Sequence, residues 1–231
     1  MNIFIASIEN FEGFLKDEES WHCARVLRSK IGDLVHLIDG KGNFYEGELT
    51  VVSDKFCKVR ITKGPTSQRK RDYYLHLAIA PTKQLDRIEW MIEKAVEIGV
   101  DEISFITCKN SERTIIKEVR VLKIVESAVK QSLQAFMPRV NNLISVKKIM
   151  SESVCDQKFI AHCFETSKKP IREIDFRNKS TLFLIGPEGD FTRDEVDLAI
   201  ENGFEAISLG QNRLRTETAG LFVCQAASIF S

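Results

Sequence analysis

The amino-acid sequence predicts an α/β protein in two parts, a small β-barrel followed by a larger α/β domain with a mainly parallel sheet. Three observations carry this. The first third holds at least three short apolar-alternating stretches joined by tight turns. From about residue 73 onward, apolar strand-like runs alternate with amphipathic helical stretches, the rhythm of a parallel sheet covered by helices. Between them lies GPTSQRKRD, residues 64–72, which is polar, basic and interrupted by Gly64-Pro65, and so reads as the boundary.

In chain order, ESWHCARVLRSKIG suits a short helix ended near Gly32, with Trp21, Ala24 and Leu27 sharing one face. GDLVHLIDG alternates apolar residues, GKGN is a hairpin-type turn, and FYEGELTVVS and CKVRITKG complete the strands of the first part. In the second part YLHLAIA is a strand. LDRIEWMIEKAVEIG is a helix with a stripe of Ile88, Met91, Ile92, Ala95 and Val96, and Gly99 suits the position after its end. EISFIT is a strand, VRVLKIVESAVKQSL a helix stopped before Pro138, and LISVKKI a strand or a strand–helix junction. KFIAHCF, TLFLIG and EAISLG are apolar strands; RDEVDLAIENG and TETAGLFVCQAASIF are helices.

The bulk numbers narrow the function. The 231 residues are 43% hydrophobic, enough to bury a sizeable core, and 33 basic residues balance 33 acidic ones. A nucleic-acid partner therefore needs a local basic patch, because the global charge supplies no attraction. The six cysteines, at 23, 57, 108, 155, 163 and 224, form no CxxC pair, and no histidine stands at metal-ligand spacing from two of them. They read as small buried residues of a reducing compartment, and no metal site is expected. The first residues, MNIFIASIENFEGF, lack the basic and apolar regions of a signal peptide, and no run reaches the length of a membrane span. A cytoplasmic location with no membrane partner is the expectation.

The chemistry concentrates in two loops. TLFLIGPEGDFTRDEV leads an apolar strand through Gly186-Pro187-Glu188-Gly189 into a helix that opens on a capping box, Thr192 with Glu195. Glycines at 186 and 189 allow close backbone approach or positive φ. LGQNRLRTETAG, 209–220, repeats the design: a strand ends at Leu209-Gly210 and a helix follows, which Thr216 or Thr218 could cap. Loops at the carboxyl ends of strands are where open α/β sheets bind ligands, and AHCFETS, 161–167, would be a third. Three backbone-rich loops with few cations suit a neutral or zwitterionic ligand carrying an adenine, and suit a triphosphate poorly. No GxGxxG follows any strand, which argues against a dinucleotide.

Read together, LFLIGPEGDFTRDEV and ISLGQNRLRTETAG resemble the cofactor-binding signature of SPOUT-type methyltransferases, most closely the RsmE family of 16S rRNA uridine-N3 methyltransferases. HCARVLRSKIGD and APTKQLDRIEWMIEKAVEIGVDEISFITCKNSER resemble that family's N-terminal and middle segments, so the likeness is colinear from about residue 20 to Ser231. It implies a PUA-like RNA-binding β-barrel at 1–68, a SPOUT methyltransferase domain with a trefoil knot at 73–231, S-adenosylmethionine as cofactor, 16S rRNA of the small ribosomal subunit as substrate, and a homodimer. It places cofactor contacts at Gly186, Glu188, Gly189, Leu209, Gly210, Leu214 and Thr218, with Leu184 and Ile185 beneath them. Two departures stand out: Asp190 replaces the second glycine of the family's GPEGG, and Lys130-Gln131-Ser132-Leu133-Gln134 lacks the family's arginine.

Uridine N3 carries a proton at neutral pH, and no general base is evident; His36 and His76 sit in strand patterns. Cationic stabilisation of the deprotonated base is the preferred mechanism, with Arg113 and Lys83, both just after predicted strands, as candidates. RNA contacts are expected from Arg25, Arg28 and Lys30, and Arg69, Lys70 and Arg71 form a second basic cluster. The alternatives are a SPOUT methyltransferase acting on another RNA such as tRNA, and an RNA-binding assembly factor without catalysis.

Overall fold

The structure, a computed structural model, describes residues 2–231. Its described residues divide into two compact units: residues 2–70 with 129–137, and residues 71–128 with 138–231.

The first unit holds β1 (Ile3–Ile5), β2 (Ser7–Glu9), β3 (Glu12–Lys16), α1 (Asp17–Trp21), β4 (Leu34–Ile38), β5 (Asn43–Val51) and β6 (Phe56–Ser67). These strands form one six-stranded sheet in the order β1-β4-β5-β6-β3-β2, antiparallel except for β1 beside β4. Phe4, Leu15, Val35, Leu37, Leu49 and Val59 from five of its strands share one buried cluster, with Ile8 of the sixth packed against it, so the sheet curls around a single interior. The three strands before residue 17 were not expected. They are too short, at three to five residues, for alternation to declare itself.

The expected helix at 19–32 is corrected. It runs as α1 and then a π-turn, His22–Val26, and stops before Arg28, whose φ is +53°. The wider turn rotates the register, so Ser20 and Cys23 face the core while Trp21 and Leu27 are exposed. Ser20 Oγ donates to the Leu15 carbonyl (2.7 Å) and accepts from the Cys57 N–H (3.0 Å), which stitches this turn to the sheet.

The second unit holds β7 (Tyr74–Ile79), α2 (Leu85–Ile98), β8 (Glu102–Thr107), most of α3 (Glu118–Gln131), β9 (Arg139–Ser145), α4 (Val146–Glu152), β10 (Gln157–Ala161), β11 (Lys169–Pro170), β12 (Ser180–Ile185), α5 (Arg193–Glu201), β13 (Glu205–Ser208) and α6 (Thr216–Phe230). All seven strands run parallel in the order β11-β13-β10-β12-β7-β8-β9. Both faces are covered, which is why its strands read as continuous apolar runs. Ala78, Ile106, Ile160 and Leu184 pack under Val146 and Met150 of α4 and Val196 and Ala199 of α5. On the other face Leu77 and Ile79 lie against α6, where Gly220 leaves room for Ile79 and Met91. The predicted α2 stripe, Ile88, Met91, Ile92, Ala95 and Val96, is buried throughout. Each large side chain of that kind contributes roughly 1.5–3 kcal/mol.

LISVKKI proves to be a junction, the end of β9 followed by α4 with Ser145 as its cap. The helix expected to reach residue 133 ends at Gln131, and Leu133 takes a φ of +55°. The segment 129–137 then belongs with the first unit, outside the contiguous 73–231 anticipated for the second. Its backbone explains this: Ala135 N–H donates to Gln68 Oε1 (2.6 Å), Gly42 N–H to the Ala135 carbonyl (2.9 Å) and Met137 N–H to the Gly40 carbonyl (2.9 Å). Among the described residues no helix is long and apolar enough to cross a membrane.

Candidate active site at the carboxyl ends of the parallel strands

β13, β10 and β12 are neighbours, and the loops leaving their carboxyl ends converge. Together they line a cavity of about 520 Å³ with walls from 161–163 and 168, 185–188 and 190, 208–217 and 219, and one residue of α2, Arg87.

The middle loop is fixed by its own helix. Thr192 caps α5, Glu195 returns the bond as expected, and Glu195 Oε1 also accepts from the Lys109 N–H (2.7 Å), tying the loop after β8 to the same point. Gly186 lies against the Phe191 ring; a Cβ there would stand 3.0 Å from two ring carbons. Thr216 does not cap α6, and neither does Thr218. Thr216 Oγ1 instead donates to the Gly186 carbonyl (3.0 Å), fastening α6 to the turn after β12.

Asp190 has a definite role. Its φ is +63°, where glycine is otherwise favoured. Its carboxylate accepts from the Cys163 N–H at 2.7 Å and the Phe191 N–H at 2.8 Å. The side chain thus joins the loop after β12 to the loop after β10. Asn110 Nδ2 donates to the carbonyls of Gly189 (3.0 Å) and Asp190 (3.1 Å) and holds the turn from the other side.

Among the described residues, two buried groups in the wall lack hydrogen-bond partners. Both ring nitrogens of His162 and Oε2 of Glu217 are buried without a hydrogen bond. Burial holds His162 below the ordinary histidine value; the nearby Lys168 pushes the same way and Asp190 opposes. Its imidazole is therefore neutral at neutral pH. Lys168 Nζ donates to the His162 carbonyl (2.7 Å).

Of the expected cofactor residues, Ile185, Gly186, Glu188, Leu209, Gly210 and Leu214 line the cavity. Leu184 is fully buried in the core beneath it. Gly189 and Thr218 are exposed and stand outside the wall. The candidate cations also stand outside it. Arg113 donates to the carbonyls of Thr82 (3.1 Å) and Lys83 (2.6 Å), and the Lys83 ammonium pairs with Glu112 at 2.8 Å. They border the site through the backbone, because the Lys83 N–H donates to Glu188 Oε1 (2.9 Å). In the first unit Arg25 pairs with Asp54 (2.5 Å), while among the described residues no acid pairs with the exposed side chains of Arg28 and Lys30. Arg71 of the second basic cluster pairs with Asp101 (2.7 Å). Sequence reasoning missed Arg87 as a wall residue, and it named the loops that carry His162 and Asp190 without singling out those side chains. Arg87 lies in a plain amphipathic helix, and Asp190 meets Cys163, a partner 27 residues away.

A seven-stranded parallel sheet with a three-loop pocket at its carboxyl edge, following a curled β unit, matches an RNA methyltransferase domain over residues 69–228 and an RNA methyltransferase PUA domain over residues 15–62. These define the class as RNA methyltransferases. The chain is 33% identical to a ribosomal RNA small subunit methyltransferase E of Mesomycoplasma hyopneumoniae over 79% of this chain and 80% of that one. A crystal structure of a probable rRNA-methyltransferase from Porphyromonas gingivalis is 41% identical with a TM-score of 0.87, covering 97% of this chain and 96% of the other. A ribosomal RNA small subunit methyltransferase E from Neisseria gonorrhoeae, solved bound to S-adenosyl methionine, is 27% identical with a TM-score of 0.82, covering 98% and 96%. The chain belongs to the ribosomal RNA small subunit methyltransferase E family.

Proposed function

We propose that the chain methylates N3 of a uridine in 16S rRNA of the small ribosomal subunit, using S-adenosylmethionine, as a cytoplasmic homodimer. The observation that carries this is the cavity itself: three backbone-rich loops at adjoining strand ends with orphaned buried polar atoms in their wall. Such atoms fit a ligand that brings its own donors and acceptors. The cofactor supplies an electrophilic methyl group on a sulfonium. Departure of a neutral thioether needs no proton, so the chain's work is alignment and exclusion of water.

In this reading the backbone of Gly186, Glu188, Leu209 and Gly210 reads the adenine edge, and Ile185 and Leu214 cover its faces. Glu188 and Asp190 hold the loops in register through the Lys83 and Cys163 N–H groups. Arg113 and Lys83 supply positive charge for the deprotonated uridine. Glu112 raises the pKa of Lys83, by hydrogen bond and by charge, so Lys83 acts as a cation and not as a base. The reading keeps the trefoil knot in 73–231 and the RNA grip of 1–68 through Arg25, Arg28 and Lys30, which makes binding salt-dependent. Arg113→Ala tests the catalytic part: turnover falls far more than cofactor affinity, and intact single-turnover methylation in that variant refutes it.

A further inference from the structure

The outer face of the first unit carries aromatic side chains that its own packing does not explain. The β2–β3 hairpin turns through two residues, Asn10 and Phe11, with φ of +48° and +63°, since Glu9 pairs with Glu12 across it. Positive φ at both positions is the type I′ pattern, which favours asparagine first and glycine second. Phenylalanine stands at the glycine position, where a Cβ is strained, and the residue is 79% exposed. The turn therefore holds a strained residue and buries little of it.

Two more rings follow along the neighbouring strands. Leu15, Cys57 and Val59 point into the unit's core, so alternation turns Phe14 and Lys16 of β3 and Phe56 and Lys58 of β6 outward. Phe14 and Phe56 stack with 6.0 Å between ring centres and 28° between planes, and Phe56 is 37% exposed. The Lys58 ammonium stands 5.8 Å from the centre of the Phe14 ring. A diagonal aromatic pair steadies two strands, but that role does not account for Phe11. The cations around the rings suit a polyanion. Lys16 and Lys55 are exposed, and among the described residues no acid pairs with either. Lys58 pairs with Glu12 at 2.7 Å, a partly exposed bridge of the weak kind that a phosphate can displace. Rings interleaved with lysines on one open face take unpaired bases by stacking and the nucleic-acid backbone by charge.

We propose that Phe11, Phe14 and Phe56, with Lys16, Lys55 and Lys58, form a stacking surface for unpaired bases of single-stranded RNA. The proposal rests on the reading of the chain as an rRNA methyltransferase. It gives the first unit a contact with bases, beside the phosphate contacts of Arg25, Arg28 and Lys30, and it accounts for a strained aromatic residue at the hairpin tip. Duplex RNA, whose bases are already stacked on one another, offers this surface only its backbone.

Fluorescence anisotropy of the full chain tests it, with labelled oligoadenylate of about ten nucleotides as probe and an RNA duplex of the same length as control. Phe11→Gly and Phe56→Leu should each weaken oligoadenylate about 5- to 100-fold and leave the duplex within about twofold of the parent chain. Phe11→Gly separates binding from folding: glycine relieves the left-handed backbone, so its urea midpoint should be no lower than the parent's while single-strand affinity falls. Phe56→Leu keeps an apolar side chain, and a parent-like circular dichroism spectrum shows that it is folded. Unchanged oligoadenylate affinity in either folded variant, or equal losses on oligoadenylate and duplex, overturn the surface. So does a variant that turns a dimer into a monomer with RNA affinity intact, which assigns the face to a second copy of the chain. If the parent chain binds no oligoadenylate but methylates small ribosomal subunits, only this surface fails. If it does neither, the rRNA reading fails as well.

Discussion

Replacing Asp190 by alanine is expected to loosen the pocket from within. The substitution removes the acceptor for the N–H groups of Cys163 and Phe191, at 2.7 and 2.8 Å, and keeps a Cβ at a φ of +63°. Hydrogen bonds to a charged group are worth about 1.5–3 kcal/mol, and partial exposure of this turn reduces that to about 1 kcal/mol each. The left-handed backbone adds about 1 kcal/mol for alanine, where aspartate is better tolerated. Asp190→Ala should therefore lose about 3 kcal/mol, and Asp190→Gly, free of the backbone cost, about 2 kcal/mol. Urea unfolding of the three chains reads these differences. Hydrogen exchange should locate the change at residues 161–167 as well as 189–191. Variants within about 0.3 kcal/mol of the parent, or exchange unchanged at Cys163, would refute the claim that this carboxylate joins the two loops.

Three further outcomes follow from the same geometry. Gly186→Val sets a side chain against the Phe191 ring, where even a Cβ stands at 3.0 Å, and should abolish calorimetric S-adenosylmethionine binding. Gly189→Val meets Asn110 outside the cavity wall and should weaken binding less; the reverse order would contradict the placement of the wall. Glu195→Ala removes the acceptor for the Thr192 and Lys109 N–H groups and should cost about 2–4 kcal/mol in urea unfolding, with a loss under about 0.5 kcal/mol contradicting the assignment. Burial holds His76 and His162 below the ordinary histidine value of 6.5, with Glu102 opposing at the first and Asp190 at the second. The unfolded chain then binds more protons, so stability falls as pH drops from 6.5 toward the folded values and is insensitive to these groups above it. Urea midpoints that stay level through that acid window would contradict it.

What the sequence discloses depends on how far a residue's partners lie along the chain. The α2 stripe and the Thr192–Glu195 box are complete within a few residues, and both stand where their spacing puts them. The paired glycine loops are legible too, because each announces a strand end and a helix start. Asp190 reads only as a departure from a family pattern; its purpose lies at Cys163, which no local rule reaches. Arg87 and Glu217 each look like ordinary first-turn residues, and only the packing of α2 against α6 brings them together. The segment 129–137 looks like a helix end because its true partners, Gly40, Gly42 and Gln68, are far upstream. At Trp21 and Leu27 the 3.6-residue period misleads, since the π-turn His22–Val26 between them breaks the shared face and both are exposed.

The central claim, transfer of a methyl group from S-adenosylmethionine to a uridine N3 of small-subunit ribosomal RNA, is tested most directly by mass spectrometry. Small ribosomal subunits from a strain lacking the gene are incubated with the full chain and S-adenosylmethionine, and the RNA is digested and mapped. The account predicts one new 3-methyluridine in 16S rRNA and none in tRNA treated in parallel. Unmodified 16S rRNA, or methylation confined to tRNA, would contradict it.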